Sequence, residues 1–178
     1  MENKVKYIIP IIILSLVLLS CSKDEEGEET TNALTCIGTS SGSGPTIGSV
    51  ALEEATYLST CFQKRKVQME FKNNSSAQET TLMYDDTSCS GTSSSSSSSV
   101  CLESITVSST TVTKPKYVDG TAGDNVTGYA TTGKFKHNSS TSYMSIYAES
   151  TSVFWLEKAS NQDKLDSNCC YLFKFTKQ

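Results

Sequence analysis

Short stretches in which apolar and polar residues alternate recur along the chain and predict β-strands. The clearest is residues 66–72, where Val67, Met69 and Phe71 alternate with polar neighbours, as expected of a strand with one buried face. Further strands are predicted at residues 55–61, 78–84, 100–113, 126–137, 143–149, 153–158 and 169–176. Eight to ten short strands, and no convincing long helix, follow from this pattern.

Two of these stretches depart from regular alternation. The stretch 100–113 changes phase between Leu102 and Ile105, which predicts either a bulge or two strands. The stretch 126–137 is either two short strands or one strand bent at Gly133. Residues 88–99, dominated by serine, and the glycine- and aspartate-rich residues 119–125 are predicted to be loops.

Turn signals about every 8–12 residues predict an all-β domain over residues 51–178. The favoured architecture is an antiparallel meander barrel of about eight strands, because a closed barrel leaves no exposed sheet edge. A β-sandwich is the alternative. Residues 21–50 are acidic and then rich in serine and glycine, a composition that predicts a flexible tether.

The N-terminus has the pattern of an export signal. Lys4 and Lys6 precede thirteen mostly apolar residues, 7–19, too few to span a membrane, which takes ~20 residues as a helix. The end of this run, Leu18-Leu19-Ser20-Cys21, resembles the lipobox of bacterial lipoproteins. The resemblance implies that residues 1–20 are a signal peptide, removed after the thiol of Cys21 has taken a diacylglyceryl group, and that acyl chains anchor the protein.

The residues after Cys21 bear on location. Lys23 and the mostly acidic residues 24–29 are similar to the export signal of surface lipoproteins in some Gram-negative groups. We therefore expect an outer-membrane lipoprotein exposed at the cell surface, with a periplasm-facing position as the alternative. Three of the 15 basic and six of the 19 acidic residues precede residue 36, so the domain is close to neutral. Nothing in this balance predicts nucleic-acid binding.

Six cysteines remain besides Cys21, an even number that predicts disulfides in an exported protein. They are Cys36, Cys61, Cys89, Cys101, Cys169 and Cys170. None stands at the paired spacing of a zinc site. Adjacent strand residues point to opposite faces, so Cys169 and Cys170 are expected to reach different partners.

Residues 57–61, 67–71 and 83–91 together resemble a group of small bacterial lipoproteins with lipocalin-like (calycin) barrels. Those chains open with an aromatic strand ending in cysteine and continue to a strand ending in Tyr-Asp-x-x-x-Cys-Ser-Gly, here Tyr84 to Gly91. The resemblance covers about 35 residues. It implies a barrel and a disulfide between Cys61 and Cys89, and it brings no defined activity. The pairing of the other four cysteines stays open.

No catalytic, cofactor or metal site is predicted. His137 is the only histidine, it lies in a polar run, and no Gly-x-Ser-x-Gly motif accompanies it; an exposed strand position is expected. Asp85 and Asp86 are expected to cap backbone amides at a turn. Asp124 and its neighbours, Asp119 among them, fit no EF-hand spacing.

The remaining expectation is binding rather than catalysis. The aromatic residues Tyr129, Tyr143, Tyr147, Phe154 and Trp155 either fill the core or line a cavity in the barrel. The basic turns at 64–66 and 134–136 are either simply solvated or meet anionic glycans or headgroups. We expect a non-enzymatic protein that binds a small ligand, or a surface protein or glycan. A structural or adhesion protein without a cavity is the alternative.

Overall fold

The computed structural model describes residues 36, 38–118, 121–166 and 172–178. Their secondary structure is almost entirely β. The strands are β1 (Thr46–Ile47), β2 (Val50–Ala51), β3 (Thr56–Ser59), β4 (Arg65–Asn73), β5 (Ser76–Met83), β6 (Ser95–Val118), β7 (Thr121–Phe135), β8 (Thr141–Ser150), β9 (Val153–Ala159) and β10 (Phe173–Lys177), with one short helix, α1 (Gln162–Asp166), before β10.

Strands β3 to β10 form a closed antiparallel barrel in which each strand pairs with its neighbour in the chain and β10 returns to β3. The predicted eight-stranded meander barrel is confirmed, and the β-sandwich is not formed. Successive hairpins turn at opposite ends. The β4–β5 and β8–β9 turns lie at one end, the base, and the β3–β4 and β7–β8 turns lie at the other, the mouth.

Parts of two predicted loops instead belong to the longest strands, whereas residues 88–94 are a loop as predicted and residues 119 and 120 lie outside the described ranges. β6 begins at Ser95, so most of the serine run pairs with β5, where Ser98 lies opposite Thr81. β7 begins at Thr121 and continues without a break to Phe135. The predicted phase change in β6 is present as a shift of register between Glu103 and Thr106. The backbone of this segment pairs with β5, and such pairing does not require apolar side chains.

The barrel core is filled from the base. Phe154 is fully buried, stacks on Phe175 with ring centroids 4.8 Å apart and meets the edge of Tyr57 at 5.1 Å. These side chains share the inner face because strand residues alternate between faces. Such a buried aromatic cluster is a main source of stability in a domain of this size.

A small hairpin of β1 and β2 closes the base. Its Ile47, and Leu52 just beyond it, are buried in the same core. The hydroxyl of Tyr57 donates to the carbonyl of Thr151 in the β8–β9 turn at 2.7 Å. The turn residue Gly48 has φ +62°, and a Cβ there would lie 2.7 Å from the Tyr129 ring, so only glycine fits.

A second, smaller core lies outside the barrel. The far part of β6, from about Val112, and the first part of β7 run beyond the strands that they pair with in the barrel. We call this two-stranded extension the ribbon. It packs against the outer wall, where Val112, Ala130 and Leu165 of α1 form an apolar cluster. The outer faces of β8 and β9 are therefore covered as well as their inner faces.

An ion pair is buried beneath the ribbon. Lys114 Nζ lies 3.2 Å from Glu157 Oε2, and the two side chains are 0% and 3% exposed. Glu157 stands between the inward-facing Leu156 and Lys158, so it points outward from the barrel. The hydroxyl of Ser145 on β8 is buried too and has no hydrogen-bond partner among the described residues.

Candidate functional site

The barrel interior is not filled at the mouth. A cavity of about 370 Å³, the mouth cup, opens there between β3, β4, β9 and β10. Its volume is near the lower end of the ~300–1,000 Å³ typical of small-molecule sites. Its walls are mainly apolar and are formed by Val67, Leu156, Phe173 and Phe175 on the strands and Phe62 at the rim.

The polar groups in the cup are few. Ser59 and Thr81 point inward from β3 and β5. The Ser59 hydroxyl is already used, because it accepts a hydrogen bond from the backbone N–H of Val67 at 2.8 Å and donates to the carbonyl of Thr60. An apolar body with few polar atoms therefore matches the walls.

An ion pair crosses the barrel at one side of the cup. Lys158 Nζ lies 2.8 Å from both carboxylate oxygens of Glu79. β5 and β9 stand opposite each other in the closed strand order, so this contact spans the interior. Lys158 also lies 5.4 Å from the centre of the Phe135 ring. Its charge is thus compensated from within the protein.

The rim carries a second cation, Arg65, which lines the cup and is exposed. A two-residue turn places it there: Phe62 and Arg65 exchange backbone hydrogen bonds of 2.9 and 3.0 Å. Gln63 and Lys64 between them have φ +50° and +64°, as in the type I′ turns of tight hairpins. Among the described residues, no carboxylate lies within 4.0 Å of the Arg65 guanidinium.

Two disulfides staple the structure. Cys61 is joined to Cys89, the pairing that the family resemblance implies, and this bridge ties the β3–β4 turn to the loop after β5. Cys36 is joined to Cys101, so it fixes the chain that leads into the domain against β6. Cys21, Cys169 and Cys170, and also Asp119, lie outside the described residues.

Asp86 organises the loop that carries Cys89, in the capping role expected at this turn. Its carboxylate accepts hydrogen bonds from the side chains and backbone amides of Ser88 and Ser90. These bonds, the Ser88 side chain first, lower the pKa of Asp86 from 3.8 to about 2.

We expect this loop to lose its cap only in strong acid. A carboxyl group whose pKa is depressed in the folded state stabilises that state fully above its unfolded pKa, here 3.8, and ceases to do so as the pH falls through about 2. An NMR titration of the Asp86 carboxyl carbon should show this midpoint near 2. In a Ser88→Ala, Ser90→Ala variant it should rise towards 3.8. A midpoint near 3.8 in the unmodified protein would contradict the assignment.

The aromatic residues singled out in the sequence divide between the two faces of the barrel wall. Phe154 and Tyr129 pack in the main core. Trp155 instead points outward: its indole N–H donates to Glu149 Oε2 at 2.8 Å, and Lys116 of the ribbon lies 4.6 Å from its ring centre. None of the five lines the mouth cup. Alternation along a strand separates two faces but does not say which one turns inward.

His137 lies in the turn that follows β7 rather than in a strand. It is exposed, as expected, and its ring lies 5.7 Å from that of Phe135. Within the described ranges, no three histidine, cysteine, aspartate or glutamate side chains come together as metal ligands. In the same part of the chain, no helix has the length and apolar character needed to cross a membrane.

The ion pair between Glu79 and Lys158 could not be predicted from the sequence. Glu79 and Lys158 are 79 residues apart, and only barrel closure brings them together. Arg65 was visible as part of a basic turn. In comparisons with known proteins, no family model, curated protein or solved structure matches this chain.

Proposed function

We propose that this protein is a lipid-anchored binding protein of the outer membrane, exposed at the cell surface, that holds a small amphipathic anion in the mouth cup and has no catalytic role. The observation that carries the proposal is the cup itself. It combines an apolar cavity of about 370 Å³ with an exposed guanidinium at its rim. An apolar body would displace water from the walls, and an acidic head group would meet Arg65.

The charge arrangement favours an anion over a cation. Lys158 is neutralised by Glu79, so this pair leaves the cup without net charge, and Arg65 adds a positive one. A cationic ligand would gain the apolar contacts but would be repelled at the rim. A packed interior would have favoured the structural or adhesion alternative; the open cup favours binding.

The cup can be tested with two related fluorescent probes. 1-Anilinonaphthalene-8-sulfonate and N-phenyl-1-naphthylamine share one ring system, and only the first carries a sulfonate. We expect both to bind and the sulfonate to bind more tightly. A Thr81→Phe variant, which fills the cup, should weaken both probes by about tenfold or more, since it removes most of the apolar area that they bury.

Thr80→Phe is the matched control, because Thr80 points to the outer face of the same strand and pairs there with Ser99. It should leave both affinities unchanged. Arg65→Gln should remove the preference for the sulfonate while leaving the uncharged probe unaffected. Equal loss of binding in the two phenylalanine variants would contradict the cup as the site.

The anchor is a separate prediction. Cys21→Ala should abolish labelling of the protein by fatty acids and leave residues 1–20 attached, because the thiol is the attachment point and the cut follows its acylation. A Ser22→Ala variant is the control and should be labelled and cut normally. A parent protein without fatty-acid label, or a Cys21→Ala protein that keeps the label, would refute the anchor and leave the cup untouched.

A further inference from the structure

A larger cleft lies on the outside of the barrel beside the rim of the mouth cup, and Thr60 lines both. It measures about 830 Å³ and lies between the ribbon and the outer wall. The ribbon contributes Lys116, Thr121 and Asp124, and the wall contributes Glu149 and Lys174 together with the edge of Trp155. Backbone hydrogen bonds from Tyr117 to Leu172 and from Leu172 to Pro115 hold the ribbon at this distance from β10.

The carboxylate of Glu149 is fixed in place. Its Oε2 accepts the indole N–H of Trp155 at 2.8 Å and lies 3.6 Å from Lys116 Nζ. The Trp155 hydrogen bond is the main reason that the pKa of Glu149 is lowered, so the group is ionised at neutral pH. Its side chain is 47% exposed, and its Oε1 accepts no hydrogen bond from the described residues. An oriented acceptor thus faces the cleft.

The positive and negative groups around the outer cleft are equal in number. Lys174 lies 5.8 Å from the Trp155 ring centre, and no carboxylate of the described residues lies within 4.0 Å of its ammonium. Asp124 on the ribbon is exposed. With Lys116 and Glu149 the cleft therefore has two positive and two negative groups. A cationic ligand would be repelled by the two lysines, and an anionic ligand would be repelled by the two carboxylates.

We propose that this outer cleft binds a neutral carbohydrate chain. A sugar hydroxyl both donates and accepts, so one ligand can satisfy Lys174 and the carboxylates of Glu149 and Asp124 together. Val118 at the cleft is 41% exposed and, with Tyr117, offers apolar surface to the C–H face of a sugar ring. The volume is ample for several sugar units. The cleft adjoins the mouth cup, since Tyr117 packs against Phe62 and Phe173 of the cup, but the charged groups that would bind the sugar line only the cleft.

The position of Trp155 provides the assay, because it is the only tryptophan of the chain. The full-length protein is applied to an array of neutral linear oligosaccharides with α and β linkages, beside sulfated and sialylated ones. Each bound sugar is then titrated against the intrinsic tryptophan emission. We expect a saturable change in that emission with neutral oligosaccharides.

Two substitutions locate the site. Lys174→Met and Asp124→Asn should each weaken sugar binding by about tenfold, since a hydrogen bond to a charged group is lost. Neither side chain is buried, so the fold should persist, and thermal unfolding checks this. Lys134→Met and Asp163→Asn are the matched controls at exposed positions outside the cleft, and both variants should bind sugars as the parent protein does. Thr81→Phe, which fills the mouth cup, should leave sugar binding unchanged. The proposal would be overturned if the protein bound only anionic glycans or no glycan at all. It would also be overturned if the cleft variants bound neutral sugars as tightly as the parent protein.

Discussion

Replacing Lys114 with methionine should lower the free energy of unfolding by about 3–5 kcal/mol, because Glu157 would then remain buried without its cation. The pair lies beneath the ribbon at 0% and 3% exposure, where water cannot replace the lost partner. Chemical denaturation of the purified variants measures the change. Lys72→Met is the matched control: its pair with Glu70 is partly exposed, and its loss should cost less than about 1 kcal/mol.

A double substitution separates the burial of a lone charge from the loss of packing. Lys114→Met combined with Glu157→Leu leaves no charge behind and should recover most of the stability, since apolar replacements for a buried ion pair are often neutral or stabilising. If the double variant is as unstable as the sum of the two single ones, the two side chains stabilise the fold independently, and a lone buried charge is not the cause of the loss.

Removing the Cys36–Cys101 bridge should destabilise the protein by about 4 kcal/mol, because its loop of 65 residues restricts the unfolded chain. The change is made as Cys36→Ser with Cys101→Ser, so that no thiol is left to pair wrongly. The Cys61–Cys89 bridge closes a shorter loop of 28 residues, and its removal should cost slightly less. Urea denaturation of both double variants gives the comparison.

The same variants test what the Cys36 bridge does for the entry segment. Near Cys36, the Ser41 hydroxyl accepts a hydrogen bond from the backbone N–H of Asn74 at the β4–β5 turn. Without the bridge, amide hydrogen exchange should accelerate in residues 38–44 before it does so in the barrel strands. Unchanged stability and unchanged exchange would show that the bridge is not formed in the native protein.

The meander barrel could be predicted because a strand with one buried face shows alternating apolar and polar residues over a few positions. Val67, Met69 and Phe71 alternate with polar residues, and all three turn inward to the core or the cup. The turn at Gln63 and Lys64 and the cap by Asp86 are likewise local, since each depends on residues within four positions. Properties of this kind depend on a few neighbouring dihedral angles and hydrogen bonds.

The ribbon and both sites could not be predicted, because they depend on contacts between distant segments. The composition of residues 119–125 predicts a loop, yet residues 121–125 belong to β7 and pair with β6. From its position on the outer face of β9, Glu157 would be expected to be exposed, but the ribbon buries it. The Glu79–Lys158 pair requires strands from opposite sides of a closed barrel. The alternation of residues distinguishes the two faces of a strand, but it does not show which other segments pack against each face.

Binding in the mouth cup is tested most directly by a methyl NMR titration with 1-anilinonaphthalene-8-sulfonate. We expect saturable shift changes at the methyl groups of Val67 and Leu156, which line the cup. The methyl groups of Ile47 and Leu52 at the closed base should stay in place. Shifts at the base or on the ribbon with none at Val67 and Leu156, or no shifts at all, would contradict a binding role for the mouth of this barrel.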